Sequence, residues 1–366
     1  MSKNSPPRLN ADSCRKRQAR LQAYMLEQNL DAVLFTHRHY VYWLTGYWHD
    51  QILTPTAALL LADGHTLLVS HCQPADAPAA DELISYQPQK LCTLVENLDQ
   101  ALCLPLIPLL NKLKRLGVDG SARPWIADKV EWVDITTDFQ YLRRQKYEDE
   151  ITAIRYTIQA ADAVYHKARE ILQPGISEIE LYATLQASAI EAAGDLLSGW
   201  GNDFQSGTPG GLARQRAAQP GELVPFDIGV GVRGYRSDLC RTFSVDGKPS
   251  ELQLEAHQRV VGMLEQVELS IRPGESCRAL FEKIESQLDD WKGYQFKHHL
   301  GHGIGLDPHE VPRLNPCYDD TFQVGDVVAV EPGLYGKELN AGIRLEQNYL
   351  VTESGVERLS SFPLDL

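Results

Sequence analysis

Histidines are concentrated in one short stretch of the chain, residues 298–310, which reads HHLGHGIGLDPHE. Four of the eleven histidines lie within it: His298, His299, His302 and His309. A neutral imidazole is the commonest metal ligand in proteins and a general acid or base near neutral pH. Glycines on both sides of His302 predict that other groups approach its backbone closely. The stretch alone also fits an exposed, flexible loop, so other parts of the chain must decide between a functional site and a loop.

Acidic residues occur on a predicted pair of strands, residues 222–230 and 235–244, which a glycine-rich turn separates. A hairpin centred on Val232 and Arg233 would place Asp227 directly opposite Asp238, with Cβ atoms about 5 Å apart. Facing like charges destabilise a sheet, so a cation between the two carboxylates is expected. The alternative, two solvent-facing aspartates, is weakened by the apolar residues around them.

A second predicted strand pair repeats this arrangement. An apolar strand over residues 326–331 ends in Glu331, and Glu346 leads into the strand that follows. Each glutamate taken alone is more typical of a surface. However, residues 172–182 resemble residues 271–281 at a constant offset of 99, which indicates an internal repeat. Four acids in matching positions of two repeats, with His302 between them, predict a site at the junction of two related halves.

Four carboxylates and one imidazole form an oxygen-rich ligand set that suits Mn, Fe, Co or Zn. The missing thiolates count against a structural zinc site. Several carboxylates can bridge two metal ions held about 3.5–4 Å apart, an arrangement that activates a water and polarises a carbonyl group. The sequence therefore predicts metal-assisted hydrolysis.

Composition and charge exclude other functional classes. The formal net charge of −14 lacks the basic footprint that nucleic-acid binding requires. No apolar run approaches the roughly 20 residues of a membrane span, and the polar start of the chain lacks the apolar core of a signal peptide. The seven cysteines are widely spaced, which argues against a disulfide scaffold. We expect a cytoplasmic protein with neither a nucleic-acid nor a membrane partner.

Two domains are expected from the pattern of elements. Apolar runs alternate with helical patterns up to about residue 140, including a hairpin with Asp63-Gly64 at its turn and a helix over residues 98–116. An aromatic run, residues 40–48, fits either a core or the wall of a site. After a charged boundary, apolar residues spaced by three or four predict a long helix that ends before Pro174. The predicted domains are residues 1–141 and 142–366.

The motifs together resemble the pita-bread metallopeptidase family, which includes aminopeptidase P, prolidase, methionine aminopeptidase and creatinase. They lie at residues 226–229, 234–242, 301–310, 330–335 and 342–346. The resemblance is strong over residues 142–366 and weaker over the N-terminal domain. It implies an α+β protein, in which a pita-bread catalytic domain with a pseudo-two-fold repeat follows a smaller α/β domain of the creatinase/prolidase type.

The resemblance also implies roles for individual residues. The implied metal ligands are Asp227, Asp238, His302, Glu331 and Glu346. Glu331 would also assist proton transfer, and His309 would stabilise the tetrahedral intermediate unless it is a plain surface histidine. His298 matches a substrate-pocket histidine, with His299 expected to pack. Arg344 matches a substrate-binding arginine or is a partner of the carboxylates.

Two divalent transition-metal ions are implied as cofactors, with manganese expected and zinc, cobalt or iron as alternatives. The family commonly forms homodimers, so a homodimer is expected here. The leading functional prediction is a dinuclear-metal hydrolase that cleaves a small peptide or amide bond, like an Xaa-Pro dipeptidase or aminopeptidase P.

One departure from the family keeps an alternative open. Proline-specific members carry a Pro-His pair in the loop before the first aspartate strand, but residues 206–222 contain no histidine. Arg214 and Arg216 occur there instead and either bind a substrate carboxylate or are solvated. The alternative is a non-peptidase relative that acts on a small nitrogen compound, a creatinase-like hydrolase or a lyase. A non-catalytic binding protein is disfavoured because every implied ligand position holds a competent residue.

Overall fold

The computed structural model describes residues 5–49, 54–72, 77–88, 98–120 and 129–366. The chain divides into two compact units, of which one is Arg8–Arg143 and the other contains Arg144–Leu366. Among the described residues, no helix is both long enough and apolar enough to cross a membrane.

The first unit is built on a six-stranded mixed sheet. Its strands are β1 Ala32–Phe35, β2 Ala57–Leu61, β3 Thr66–Ser70, β4 Glu82–Ser85, β5 Arg115–Val118 and β6 Glu131–Asp134. They are ordered β4-β3-β2-β1-β5-β6. The pairs β1–β2 and β2–β3 are antiparallel, as the predicted hairpin requires, and the remaining pairs are parallel. The helices of this unit are α1 Ala11–Glu27, α2 Arg38–Thr45, α3 Leu98–Cys103, α4 Ile107–Leu110 and α5 Thr136–Leu142.

The continuous helix predicted over residues 98–116 is wrong. Helix α3 ends at Cys103, a 3₁₀ turn spans Leu104–Leu106, and α4 ends at Leu110. Pro105 and Pro108 fall within this segment. Proline lacks the backbone N–H and its ring crowds the preceding turn, so only short helical pieces form. Leu116 belongs instead to β5.

The aromatic run at residues 40–48 mainly builds the core of the first unit. Tyr42 and Trp43 are almost fully buried, and the Trp43 ring packs edge-on against Phe139. Trp48 is half-buried, and its ring stacks on His39 with centroids 5.7 Å apart. The core interpretation therefore holds for Tyr42 and Trp43.

The second unit combines two pairs of helices with several antiparallel strands. Its helices are α6 Glu148–Ile171, α7 Glu178–Ala193, α8 Glu251–Ser270 and α9 Cys277–Leu288. Its strands are β7 Leu223–Asp227, β8 Gly231–Val232, β9 Tyr235–Arg236, β10 Cys240–Ser244, β11 Gly301–Gly303, β12 Glu310–Leu314, β13 Val327–Val330, β14 Gly333–Leu334, β15 Ile343–Arg344, β16 Gln347–Thr352 and β17 Gly355–Arg358. A five-stranded sheet has the order β12-β11-β13-β16-β17, and β7 pairs with β10.

The internal repeat is visible in the backbone that connects the helices of each pair. The Gly175 N–H donates to Ala218 O over 2.8 Å, and the Gly274 N–H, 99 residues later, donates to Phe322 O over the same distance. Ser177 and Ser276 occupy the N-cap positions of α7 and α9. The same backbone contact therefore holds both helix pairs, and each pair is followed by a strand region that holds two of the four predicted carboxylate ligands.

Candidate metal centre

The register of the first strand pair differs from the prediction, although it still brings the two aspartates together. Asp227 pairs with Cys240, not with Asp238. The turn is centred on Arg233 and Gly234, which both have positive φ, 49° and 87°. Two-residue hairpin turns favour this backbone because it matches the twist of the strands, so the register moves by two. Asp238 then lies two residues from the partner of Asp227, on the same face of the pair.

The second pair of acids lies as predicted. Val330 pairs with Gln347 where β13 meets β16. Continuing this antiparallel register by one residue puts Glu331 opposite Glu346, just beyond the strand ends. The Glu331 N–H donates to Leu300 O over 2.8 Å, which fixes that carboxylate beside the strand that carries His302.

His302 lies on the short strand β11, between β12 and β13. Glycine is needed on both sides of His302 because the backbones of the neighbouring strands pack closely there. A Cβ atom at Gly301 would lie 2.1 Å from Ala329 O, and one at Gly303 would lie 2.2 Å from Val311 O. The His302 Nδ1 lies 3.0 Å from Gly303 O. If Nδ1 carries the proton and donates to this carbonyl, Nε2 is left as an acceptor.

The five predicted ligands converge from both halves of the repeat. The His302 Nε2 lies 3.7 Å from Asp238 Oδ2 and 3.7 Å from Glu331 Oε1. Ligand atoms of Asp227, Asp238 and Glu346 lie within 4.8 Å of one another, as do those of His302, Glu331 and Glu346. One imidazole therefore sits between a carboxylate of the first half and a carboxylate of the second.

The electrostatics of this cluster fit a bound cation. Burial raises the pKa of Asp238 and Glu346 well above the usual range, and the neighbouring carboxylates raise it further. Burial lowers the pKa of His302 to about 3, so its imidazole is neutral. Among the residues that the structure describes, the buried Glu346 Oε2 finds no hydrogen-bond partner. The facing carboxylates, the acceptor nitrogen of His302 and the buried oxygen of Glu346 together form a ligand set that suits a divalent cation.

A cavity of about 190 Å³ opens onto the cluster. This volume is below the roughly 300–1,000 Å³ of sites for drug-sized ligands, which suits a small substrate. His309 lines the cavity and is exposed, and its ring lies 4.0 Å from the ring of His302.

The two adjacent histidines differ in their placement. His299 lines the cavity, and His298 is absent from the described residues that form its wall. The His298 Nε2 lies 2.7 Å from the Tyr335 hydroxyl, and its Nδ1 lies 3.8 Å from Glu331 Oε2. Burial lowers the pKa of His298 to about 4. The His299 Nδ1 also lies 3.6 Å from Glu331 Oε1. Both histidines therefore lie beside Glu331, and His299 is the one that borders the cavity.

Arg344 contacts two carboxylates through one nitrogen of its guanidinium. Its Nη2 donates to Asp227 Oδ2 over 3.0 Å and also to Asp203 Oδ2. Its Nη1 lies 3.2 Å from Pro209 O and 3.4 Å from the Tyr335 hydroxyl. These contacts favour the second interpretation of the sequence, in which Arg344 is a partner of the carboxylates.

The two arginines of the loop without histidine have side chains that are 38% and 35% exposed, and both are absent from the described residues that form the cavity wall. Arg214 donates through Nε and Nη2 to the fully buried Glu178 carboxylate, over 2.9 and 2.7 Å. Arg216 makes an ion pair with Glu222 and donates to the Ser206 hydroxyl over 2.7 Å. Glu178 and Glu222 thus bind the two arginines and hold the loop in place, while both side chains stay partly solvated, as one of the two expectations had it.

Several cavity residues were missed by reasoning from the sequence: Trp200, Asn202, Asp203 and Arg236. Asp203 precedes the loop that lacks the histidine, and its backbone pairs with that of Asp227. Arg236 lies inside a recognised motif, two residues before Asp238. Its position next to a predicted ligand was the only available signal.

Comparison with known proteins identifies a family for each part of the chain. Residues 152–353 match metallopeptidase family M24, and residues 17–144 match the creatinase/prolidase N-terminal domain. The chain is 26% identical over 357 residues to an Xaa-Pro dipeptidase of Pyrococcus horikoshii, covering 94% of this chain and 96% of that protein.

Solved structures show the same fold. An Xaa-Pro dipeptidase from Bacillus anthracis superposes with a TM-score of 0.80 at 23% identity, over 96% of this chain and 99% of that one. The prolidase of Pyrococcus horikoshii superposes with a TM-score of 0.78 at 24% identity, over 96% of this chain and 99% of that one.

Proposed function

The chain belongs to metallopeptidase family M24, and from that premise we propose that this metal-dependent hydrolase cleaves short Xaa-Pro peptides at a centre of two divalent ions. One observation carries the proposal. The His302 Nε2 lies 3.7 Å from carboxylates of both halves of the repeat, Asp238 and Glu331. Similarity to Xaa-Pro dipeptidases supports the substrate class.

We assign the metal ligands as predicted from the sequence. They are Asp227, Asp238, His302, Glu331 and Glu346. Manganese is the proposed metal because carboxylates dominate the set, and zinc, cobalt and iron are the alternatives. When bound, the ions would supply Lewis acidity and a nucleophilic water. Metal analysis of the purified protein is expected to give about two ions per chain. Protein that stays metal-free after Mn, Co and Zn are offered would contradict the proposal.

Glu331 and His309 are the proposed catalytic residues. The Glu331 carboxylate lines the cavity, 3.7 Å from His302, where a carboxylate can take up a proton and return it to the leaving group. His309 is exposed at the cavity, where its imidazole N–H can donate to the oxygen of the scissile carbonyl as negative charge develops there.

His298 and Arg344 would act on the substrate side of the centre through the groups that they contact. His298 approaches Glu331 and Tyr335, and Arg344 holds Asp203 and Asp227. We propose that both orient these neighbours.

The homodimer, the cytoplasmic location and the domains 1–141 and 142–366 stay predictions from the sequence. Sedimentation of the purified protein checks the first.

A substrate panel with defined metals tests the peptidase proposal. Xaa-Pro dipeptides and tripeptides are expected to be cleaved, with Xaa-Ala peptides as the matched control for proline selectivity. The absence of histidine from residues 206–222 favours one competing function. In that case the enzyme would act on a small nitrogen compound, as a hydrolase or as a lyase. Turnover of methylated amines without cleavage of any Xaa-Pro peptide would establish that function instead.

A further inference from the structure

Arg344, at the centre, is already bound by acidic partners. Its Nη2 contacts the carboxylates of both Asp203 and Asp227, and its Nη1 faces backbone and hydroxyl oxygens. Two carboxylates neutralise one guanidinium, so little of its charge remains for an anionic substrate. A carboxylate that entered the cavity would also meet the negative charge of Asp203 there.

A second arginine, Arg236, lines the same cavity without such partners. Within the described part of the chain, its half-buried guanidinium forms no ion pair and no side-chain hydrogen bond; only its backbone N–H donates, to Gly305 O. Its positive charge acts on Asp238 and His309, in each case lowering the pKa. The guanidinium is therefore close to the proposed chemistry and still has its hydrogen-bond donors available.

Gly199 provides the space in which the Arg236 guanidinium lies. A Cβ atom at Gly199 would be 1.9 Å from the Arg236 Nη2. The Gly199 backbone is fixed because its carbonyl accepts from the Gly231 N–H over 2.9 Å. A planar group seated against a fixed backbone loses less side-chain entropy when it binds a ligand.

We propose that Arg236 binds the free C-terminal carboxylate of the substrate, an inference that rests on the proposed peptidase function. The guanidinium fork matches a carboxylate with two parallel N–H···O bonds. The ligand class is therefore a small acid, such as a dipeptide, whose carboxylate lies on the Arg236 side of the cavity. Arg236 gives selectivity for free acids over amides, and the histidine missing from the loop is not required for this contact.

The test compares leucyl-proline with its C-terminal amide, using manganese-loaded enzyme. Wild-type kcat/KM is expected to favour the acid by about ten- to a hundredfold, the usual range for hydrogen bonds to a charged group. Arg236→Gln is expected to remove this preference by raising KM for the acid with little change in kcat, as loss of uniform binding predicts. Arg236→Lys should retain part of the preference because it keeps the charge.

Two further variants separate this role from general damage. Gly199→Ala must displace the guanidinium and should shift the acid-to-amide ratio in the same direction. Arg278→Gln, at an exposed arginine paired with Asp319, is the matched control and should leave the ratio unchanged. The inference is overturned if Arg236→Gln changes both substrates equally, or if the wild-type enzyme does not distinguish them.

A binding measurement keeps the inference separate from the peptidase proposal. If the wild-type protein cleaves neither substrate, the proposed function fails, and calorimetric titration with L-proline then decides the role of Arg236. Weaker binding of L-proline by Arg236→Gln than by wild type supports a carboxylate site. Equal binding by the two proteins, or no binding by either, overturns it.

Discussion

Asp238→Asn is expected to change stability in opposite directions with and without metal. Ligand oxygens of Asp227, Asp238 and Glu346 lie within 4.8 Å of one another. At an effective dielectric constant of about 20, two charges at that separation repel by roughly 3 kcal/mol. Protonation relieves part of this repulsion, as the raised pKa of Asp238 indicates.

In metal-free protein, the amide of Asp238→Asn removes a charge and can donate to Asp227. We expect the free energy of unfolding to rise by about 1–2 kcal/mol, less than the full repulsion because protonation already relieves part of it. In metal-loaded protein, the same change removes a ligand. A hundredfold weaker affinity lowers the metal-linked stability by about 2.7 kcal/mol, and peptidase activity should be lost with the fold retained.

The assay is urea unfolding of chelator-treated and manganese-saturated protein, each compared with wild type. Asp319→Asn is the control, since its carboxylate is exposed and pairs with Arg278; it should change stability little in either state. If Asp238→Asn destabilises the metal-free protein as much as the loaded one, Asp238 contributes as an ordinary structural residue, and the assigned cation site is refuted.

The other predictions concern single groups in the second unit. His302→Ala should weaken manganese binding by more than about tenfold with an unchanged far-ultraviolet circular dichroism spectrum; unaltered equilibrium dialysis would contradict its role as a ligand. Arg144→Met leaves Asp326, which accepts two 2.7 Å bonds from that arginine, buried and unpaired. It should cost about 3–5 kcal/mol in urea unfolding, and Arg144→Met/Asp326→Asn should recover part of the loss. Burial lowers the pKa of His257, so its contribution to stability is present above the unfolded pKa of about 6.5 and is lost as pH falls below it. The difference in unfolding free energy between wild type and His257→Gln should therefore shrink from about pH 7.5 to about pH 5, and a pH-independent difference would be inconsistent with that shift.

The fold class and the convergence of the predicted ligands were accessible from the sequence because each depends on local patterns. Repeated motifs marked two related halves, and family membership and solved structures confirm the predicted fold. The register of the first hairpin was not accessible in this way. It depends on whether the turn is centred on Val232 and Arg233 or on Arg233 and Gly234, and the positive φ of Gly234 decides for the second.

Contacts between distant segments account for the remaining differences. Arg214 and Arg216 could be assigned only once Glu178 and Glu222 were seen beside them. Which of His298 and His299 borders the cavity depends on the backbone of an irregular segment, and residue type does not reveal it. For Arg236 the sequence shows only its position beside Asp238, because its distinguishing property is that its guanidinium makes no ion pair with any other described residue.

The repeat also has a consequence for protein engineering. Each half brings two of the four carboxylates, and the loop around Gly247, between β10 and α8, connects the halves at a turn. A chain divided there would yield two fragments that each hold half of the ligand acids. Divalent-ion affinity would then report whether separately produced fragments had reassembled, which would make this fold a candidate metal-gated split reporter.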